Sequence, residues 1–409
     1  MREKFFAILM ITCFFGLSAC GTALIQASGE HLSSRADIDA RQVQPTTQTS
    51  LSIMPSPTPT PEPVQVTATV FEEIPQAPIL MYHRFIPQTG AVSEKYKVTL
   101  SEFENHLQVL YDAGYSLVAL EDWLRGEIAV PDGRHPLIIT IDDLFYADQI
   151  SLDESGDPAP YSGIGRLWAF SKSHPDFGFH LALFFNFGDK GYANTYTNGN
   201  FYITDGWRGD RAEAIAWCIQ NGAVPYNHFY EHPNLKYFST DQILWQLQEN
   251  DAALRQALDL VGQPELADIL PNILALPYGV WPEDQAGKQI LYDYQTPEGA
   301  PVLAILEAND GDFVRPLHPP FDEPFDPWHV KRLNATWDAV NAIANKAKEL
   351  PEALTCNLGE MPPDSVDNPN HIALTILKQT RSGICPEGYY SVDRFAFFVH
   401  EDQVIQLSP

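Results

Sequence analysis

The chain has 409 residues, room for two or three ordinary domains or for one large barrel with additions. Hydrophobic residues at 44% can fill a sizeable core. A formal charge of −28 argues against nucleic acid as a partner, since no basic stripe exists to neutralise phosphates, and it disfavours adsorption to anionic lipid headgroups.

Met1-Arg2-Glu3-Lys4 is a short, net basic start, followed by the apolar run Phe5 to Leu17 and then Ser18-Ala19-Cys20-Gly21. The run has the length of a signal-peptide core and is too short to span a membrane. Small residues just before a cysteine resemble the bacterial lipoprotein signal. That resemblance implies removal of residues 1–19 and a mature chain that begins at a diacylated Cys20. The expected location is extracytoplasmic, lipid-anchored at the cell membrane. Residues 20–75 read as a tether, because Pro55-Ser56-Pro57-Thr58-Pro59-Thr60-Pro61 favours extended polyproline II and cannot form a packed core.

Order is expected from about residue 76. Pro78 to His83 reads as a short apolar strand ending in polar groups. Ser101-Glu102-Phe103-Glu104 has the form of a capping box, and Phe103, Leu107 and Leu110 follow at helical spacing. Gly114 ends that helix and Tyr115 to Leu120 returns as a strand, with a short helix to Arg125. Further strands are predicted at Leu137–Ile141, Leu181–Phe185, Ile273–Leu276 and Val302–Leu306. Helices are predicted near 211–221, 241–260 and 334–350. Strands alternating with helices imply a parallel sheet, open or closed into a barrel, with its chemistry at the carboxyl ends of the strands.

Two stretches carry chemistry. Ile139-Thr140-Ile141-Asp142-Asp143 ends an apolar run in adjacent carboxylates, and Asn227-His228-Phe229-Tyr230-Glu231-His232-Pro233 places two imidazoles four residues apart. One carboxylate and two imidazoles make three ligands of a facial metal site, which leaves the second carboxylate free to act as a base. His83, Pro277 and Tyr278 also fall at predicted strand ends.

From Pro78 to about Arg332 the chain resembles the polysaccharide deacetylases of the NodB-homology type, carbohydrate esterase family four. Pro78 to His83 is similar to the family's first strand, and Thr140-Ile141-Asp142-Asp143 to its Thr-Phe-Asp-Asp-Gly. His228 to Pro233 is similar to its His-Ser/Thr-x-x-His-Pro, and Leu276-Pro277-Tyr278-Gly279 to its third motif. The resemblance implies an α/β fold, a distorted (β/α) barrel commonly of seven strands, over residues 76–350. It implies one divalent metal, most often zinc, on Asp143, His228 and His232, with Asp142 as general base and the backbone N–H of Tyr278 facing the oxyanion. The implied activity is removal of acetyl groups from an extracellular or cell-wall polysaccharide of the N-acetylglucosamine type. The alternative is a non-catalytic carbohydrate-binding or scaffold lipoprotein that keeps the fold.

Several positions depart from the family. Leu144 stands where it has glycine, Phe229 where it has a hydroxyl residue, and Ala275 where it has the arginine that orients the base. Without that arginine, Asp142 has lost a cationic neighbour, and unless another cation substitutes its pKa is expected to be less depressed than in the family. No clean Leu-x-His supplies a general acid; Leu317-His318 and Trp328-His329 are the candidates. Residues 144–181 read as an insertion, aromatic-rich over Tyr161–Phe170, and 188–207 as a second such stretch, with stacking on sugar faces and packing against the barrel both open. In the C-terminal addition, 351–409, Cys356 and Cys385 are expected to pair in an oxidising compartment, and Cys218 to be a buried free thiol.

Overall fold

The computed structural model describes residues 62–86, 96–188, 205–309 and 325–407. The signal segment, Cys20, the proline-rich run, most of 188–207 and Leu317-His318 lie outside the described residues.

The described chain opens with strand β1 (Val64–Phe71), in which Val66, Ala68 and Val70 alternate inward. β2 (Ile79–Tyr82) is buried throughout, and a short ribbon of β3 (Arg84–Ile86) and β4 (Lys97–Thr99) leads into helix α1 (Leu100–Asp112). The cap of α1 is Thr99, whose hydroxyl accepts from Glu102 N, and not Ser101 as the sequence predicted. Then come β5 (Tyr115–Leu117), helix α2 (Leu120–Arg125) and the long β6 (His135–Leu144). Helix α3 (Gly163–Ser173), β7 (Leu181–Phe185), helix α4 (Asp205–Gln220) and β8 (Ala223–Asn227) follow. Helix α5 (Thr240–Leu260) begins with a complete capping box between Ser239 and Gln242 and precedes β9 (Asn272–Ala275). Helix α6 (Gln285–Asp293), β10 (Val302–Asn309), β11 (Val330–Asn334) and helix α7 (Trp337–Lys346) complete the alternation.

Seven of these strands close into a ring in the order β2-β11-β10-β9-β8-β7-β6, with β2 pairing back onto β6. Every pairing in the ring is parallel. β5 extends the ring by pairing with the first part of β6, before β2 takes over from Ile138. The architecture is therefore the (β/α) barrel expected from the alternation of elements. Along β6, Ile138 belongs to the interior core with Phe184, Tyr226, Ile273, Ala275, Ala304 and Leu306. Ile139 and Ile141 belong instead to the outer core, against Phe103 and Leu107 of α1, Leu167 of α3 and Val340 of α7.

Two expected elements are corrected. The predicted helix from 334 is preceded by a strand, β11, whose charged Lys331 and Arg332 hid it. The aromatic-rich segment 161–170 is not a loop over the site. It enters helix α3, where Trp168 packs edge-on to Phe179 and Trp217 and Phe170 to Phe177, so packing accounts for these two, while Tyr161 stays exposed.

A second, antiparallel sheet closes the amino-terminal end of the barrel. Beyond α7 lie β12 (Leu354–Met361), helices α8 (Pro363–Val366) and α9 (Pro369–Arg381), then β13 (Gly388–Val392), β14 (Phe395–His400) and β15 (Gln403–Gln406). The strand order is β12-β1-β13-β14-β15. One face packs on α9 through Ile372 and Ile376, and Cys356 is disulfide-bonded to Cys385 within that layer. The other face sends Phe71, Tyr389 and Ala396 into the same core as the barrel interior. Cys218 of α4 is a buried free thiol.

The tether boundary at residue 75 is thus corrected. Residues 64–71 form an inner strand of the C-terminal sheet, running antiparallel to both β12 and β13. Their alternating pattern is visible in the sequence, but their partners lie near the other end of the chain. A chain begun at Ile74 should therefore melt roughly 10 °C or more below one begun at Glu62, since it loses four buried apolar side chains and an inner strand. Calorimetry of the two forms checks this; equal melting temperatures would make β1 dispensable.

Candidate metal centre

The site is built at the carboxyl ends of β2, β6, β8 and β9. Adjacent residues on a regular strand face opposite ways, so two neighbouring carboxylates should not share a cavity. Here β6 breaks register against β7 between Ile141 and Leu144, and Asp143 takes a left-handed backbone conformation with φ 59°. Asp142 and Asp143 consequently line the same cavity. Asn186 at the end of β7 donates to Asp143 Oδ1 at 3.0 Å.

Asp142 is 2% exposed, and the cation that accompanies it is Arg332. Another cation thus substitutes for the absent arginine. Ala275 does stand on β9 where the arginine was looked for, but β11 presents a guanidinium from two strands away in the ring. Arg332 Nη1 and Nη2 donate to Asp142 Oδ1 and Oδ2 at 2.6 and 2.9 Å, a bidentate pair, and Nη1 also reaches Thr140 Oγ1 at 3.1 Å. The guanidinium lies 5.0 Å from the centre of the Phe184 ring and is fully buried. Burial alone would raise the Asp142 pKa, but Arg332, then His228 and His83, outweigh it and bring it down to about 2.

The imidazoles sit on a tight loop after β8. His228 Nδ1 lies 2.8 Å from the Ala275 carbonyl, which can only accept, so Nδ1 carries the proton and Nε2 presents its lone pair. Nε2 of His228 and of His232 lie 3.8 and 3.5 Å from Asp143 Oδ1. The loop is strained: Phe229 has φ 60° and His232 φ 51°, conformations costly for side chains of this size. In place of the missing hydroxyl, helix α5 supplies the bracing. Asn227 Oδ1 accepts from Phe229 N and from Asn250 Nδ2, while its Nδ2 donates to Leu247 O and Asp251 Oδ1. Gln246 holds Glu231 through both its backbone N–H and its carboxylate.

Asp143, His228 and His232 each offer one ligand atom within 4.8 Å of the others. This set suits a divalent ion: bonds of about 2 Å can span the observed separations, and the His228 tautomer is fixed for ligation. Burial, opposed by Asp142, brings the His228 pKa down to about 4, so the ring stays neutral as a ligand must.

The cavity, about 300 Å3, is also lined by Met81, His83, Lys97 and Tyr278. Tyr278 follows β9 in a left-handed turn at φ 58°, and its ring meets that of His232 with centroids 4.5 Å apart. His83, at the end of β2, has a buried Nδ1 without a hydrogen-bond partner. Its position at a strand end was legible, but its place beside the carboxylates was not, because only barrel closure brings β2 against β6. Of the acid candidates named from the sequence, His329 hydrogen-bonds Glu307 at 2.7 Å and is not among the cavity residues, and His318 lies outside the described residues.

No family model matches the chain, and no curated protein matches it. Solved structures do. The Streptococcus pyogenes deacetylase PplD, in complex with acetate, is 16% identical, with 69% of this chain and 99% of that chain covered and a TM-score of 0.41. IcaB from Ammonifex degensii is 19% identical, with 68% and 98% covered and a TM-score of 0.40. BC0361, a polysaccharide deacetylase from Bacillus cereus, is 16% identical, with 66% and 69% covered and a TM-score of 0.41. What the cavity can do follows from its own residues.

His228→Ala or His232→Ala should abolish tight binding of one divalent ion, and Asp143→Asn should weaken it, because two remaining ligands do not make a facial site. Asp142→Asn should leave the stoichiometry near one. Titration calorimetry with zinc decides; unchanged affinity in both histidine variants would refute the ligand set.

Proposed function

We propose that the protein is a metal-dependent deacetylase of an extracellular or cell-wall polysaccharide of the N-acetylglucosamine type, held at the membrane surface by a lipid on Cys20. The observation that carries the chemistry is one cavity facing both a three-ligand set and a buried, ionised carboxylate. A divalent ion on Asp143, His228 and His232, zinc most often in the family the sequence resembles, would supply Lewis acidity toward the acetyl carbonyl and the attacking water.

The protein's own groups divide the proton traffic. Asp142, fixed by Arg332, takes a proton from water as its oxygen bonds to the acetyl carbon. The backbone N–H of Tyr278 is assigned to the oxygen that gains charge. His83, on the cavity wall, passes the proton taken up by Asp142 on to the nitrogen as the C–N bond breaks, releasing acetate and a free amine and leaving both side chains as they began. Tyr96 and Tyr278, 46% and 65% exposed at the cavity, offer apolar faces to a sugar ring.

The test is acetate release from an acetylated glucosamine oligomer, with and without added metal. Asp142→Asn should lower turnover roughly a hundredfold or more with metal content preserved. No release at any pH with one metal bound would favour a non-catalytic carbohydrate-binding scaffold.

Arg332 makes a second test. Its removal takes away the strongest influence that lowers the Asp142 pKa, so that pKa must rise. Since only the ionised carboxylate accepts the proton, the acidic limb of the pH–rate profile of Arg332→Met should move to higher pH. An unmoved limb would sever Arg332 from the base.

A further inference from the structure

The ladder between β2 and β6 ends at the pair Tyr82 and Ile141. The next residues on the two strands are His83 and Asp142, and no further rung of sheet joins them. A side chain takes over. Gln149 is fully buried, and its Nε2 donates to the His83 carbonyl at 2.7 Å and to the Asp142 carbonyl at 2.8 Å. Its Oε1 accepts from Tyr146 N at 2.7 Å, which fixes the amide's orientation, because the reversed amide would set an oxygen against two carbonyls. A neutral carboxamide is well suited to the place: it has two donors on one nitrogen and brings no charge into the interior.

The neighbouring residue strengthens the tie. Asp148 accepts from Arg84 Nε and Nη2 at 2.9 and 2.8 Å and from Phe85 N at 2.9 Å, and the Arg84 guanidinium lies 3.7 Å from the centre of the Tyr146 ring. Two consecutive residues thus grip positions 83, 84 and 85 on one side and 142 on the other. Both belong to the stretch between β6 and helix α3, outside the strands of the ring.

From this geometry we infer that Gln149, supported by Asp148, is a positioning residue that sets His83 against Asp142 at the reacting centre. This rests on the deacetylase reading and adds to it a role for the segment after the carboxylates. Losing the bridge removes both hydrogen bonds that tie the two carbonyls together and frees His83 to shift. A displacement of about 1 Å in a catalytic group costs on the order of a hundredfold.

The experiment compares two substrates on the full-length, metal-loaded protein. N-acetylglucosamine oligomers need a proton on the leaving nitrogen, whereas 4-nitrophenyl acetate leaves as a stable phenolate and needs none. Gln149→Leu should lower kcat on the oligomer roughly a hundredfold, with KM within about threefold, and cost the ester less than about threefold. His83→Ala should show the same split. Asp148→Asn, which keeps the side-chain volume, should show it to a lesser degree, and it decides the matter if Gln149→Leu does not fold. Parallel losses on both substrates, or no loss on either, would overturn the assignment while leaving the deacetylase reading intact. A metal-loaded wild type that hydrolyses neither substrate would overturn both.

Discussion

A carboxylate sealed inside a closed barrel cannot stay ionised alone. Stripped of water and unpaired, it would cost several kcal/mol or take up a proton and cease to be a base. The Asp142–Arg332 pair resolves this, and much of the site is arranged around it. The guanidinium reaches both carboxylate oxygens, so the acid cannot rotate without breaking two bonds, and the Thr140 hydroxyl holds the guanidinium in turn. The interior positions Ala182, Ala275 and Ala304 are small, as a barrel that encloses a full-length arginine requires. With Asp142 committed inward, the register break on β6 is what turns its neighbour Asp143 toward the imidazoles.

The barrel was legible where strands are apolar. The runs in β2, β6, β7, β9 and β10 read as buried strands because both faces of a parallel barrel are covered. β8 and β11 did not read that way, for different reasons. Ala223-Val224-Pro225-Tyr226-Asn227 is short and carries a proline. Val330-Lys331-Arg332-Leu333-Asn334 carries two cations, one meeting Glu307 and the other Asp142. Charges in a strand look like loop until their partners are known, and those partners are set by ring order, which no local window contains. The same limit hid β1, whose alternation was readable but whose neighbours β12 and β13 lie almost at the other end of the chain.

At the site, spacing alone brought out the ligand types. Two carboxylates side by side and two imidazoles four apart are unusual enough to be seen without a fold. What holds them was not visible. The Phe229 and His232 backbones sit in the left-handed region, each at a cost of order 1 kcal/mol, so the loop persists only because its surroundings over-determine it. Gln246, Asn250 and Asp251 do so from one face of α5, and an amphipathic helix normally keeps such polar residues for solvent. Polar side chains on the buried face of a helix otherwise well patterned were the available signal.

These observations bear on how departures from a motif should be weighed. Read position by position, Ala275 removes a cation, Phe229 removes a brace and the expected acid is missing. Read in three dimensions, a barrel end is a ring, and a given point above it can be reached from several strands. The cation comes from β11 instead of β9, the brace from α5 instead of the loop's own hydroxyl, and an imidazole from the end of β2. What the chemistry constrains is the position of a charge or a proton donor, and not the strand that delivers it. A missing motif residue is therefore evidence of lost function only when no inward-facing position on a neighbouring strand restores the same group to the same place. In this chain the restoring cation is found, at hydrogen-bond distance and fully buried.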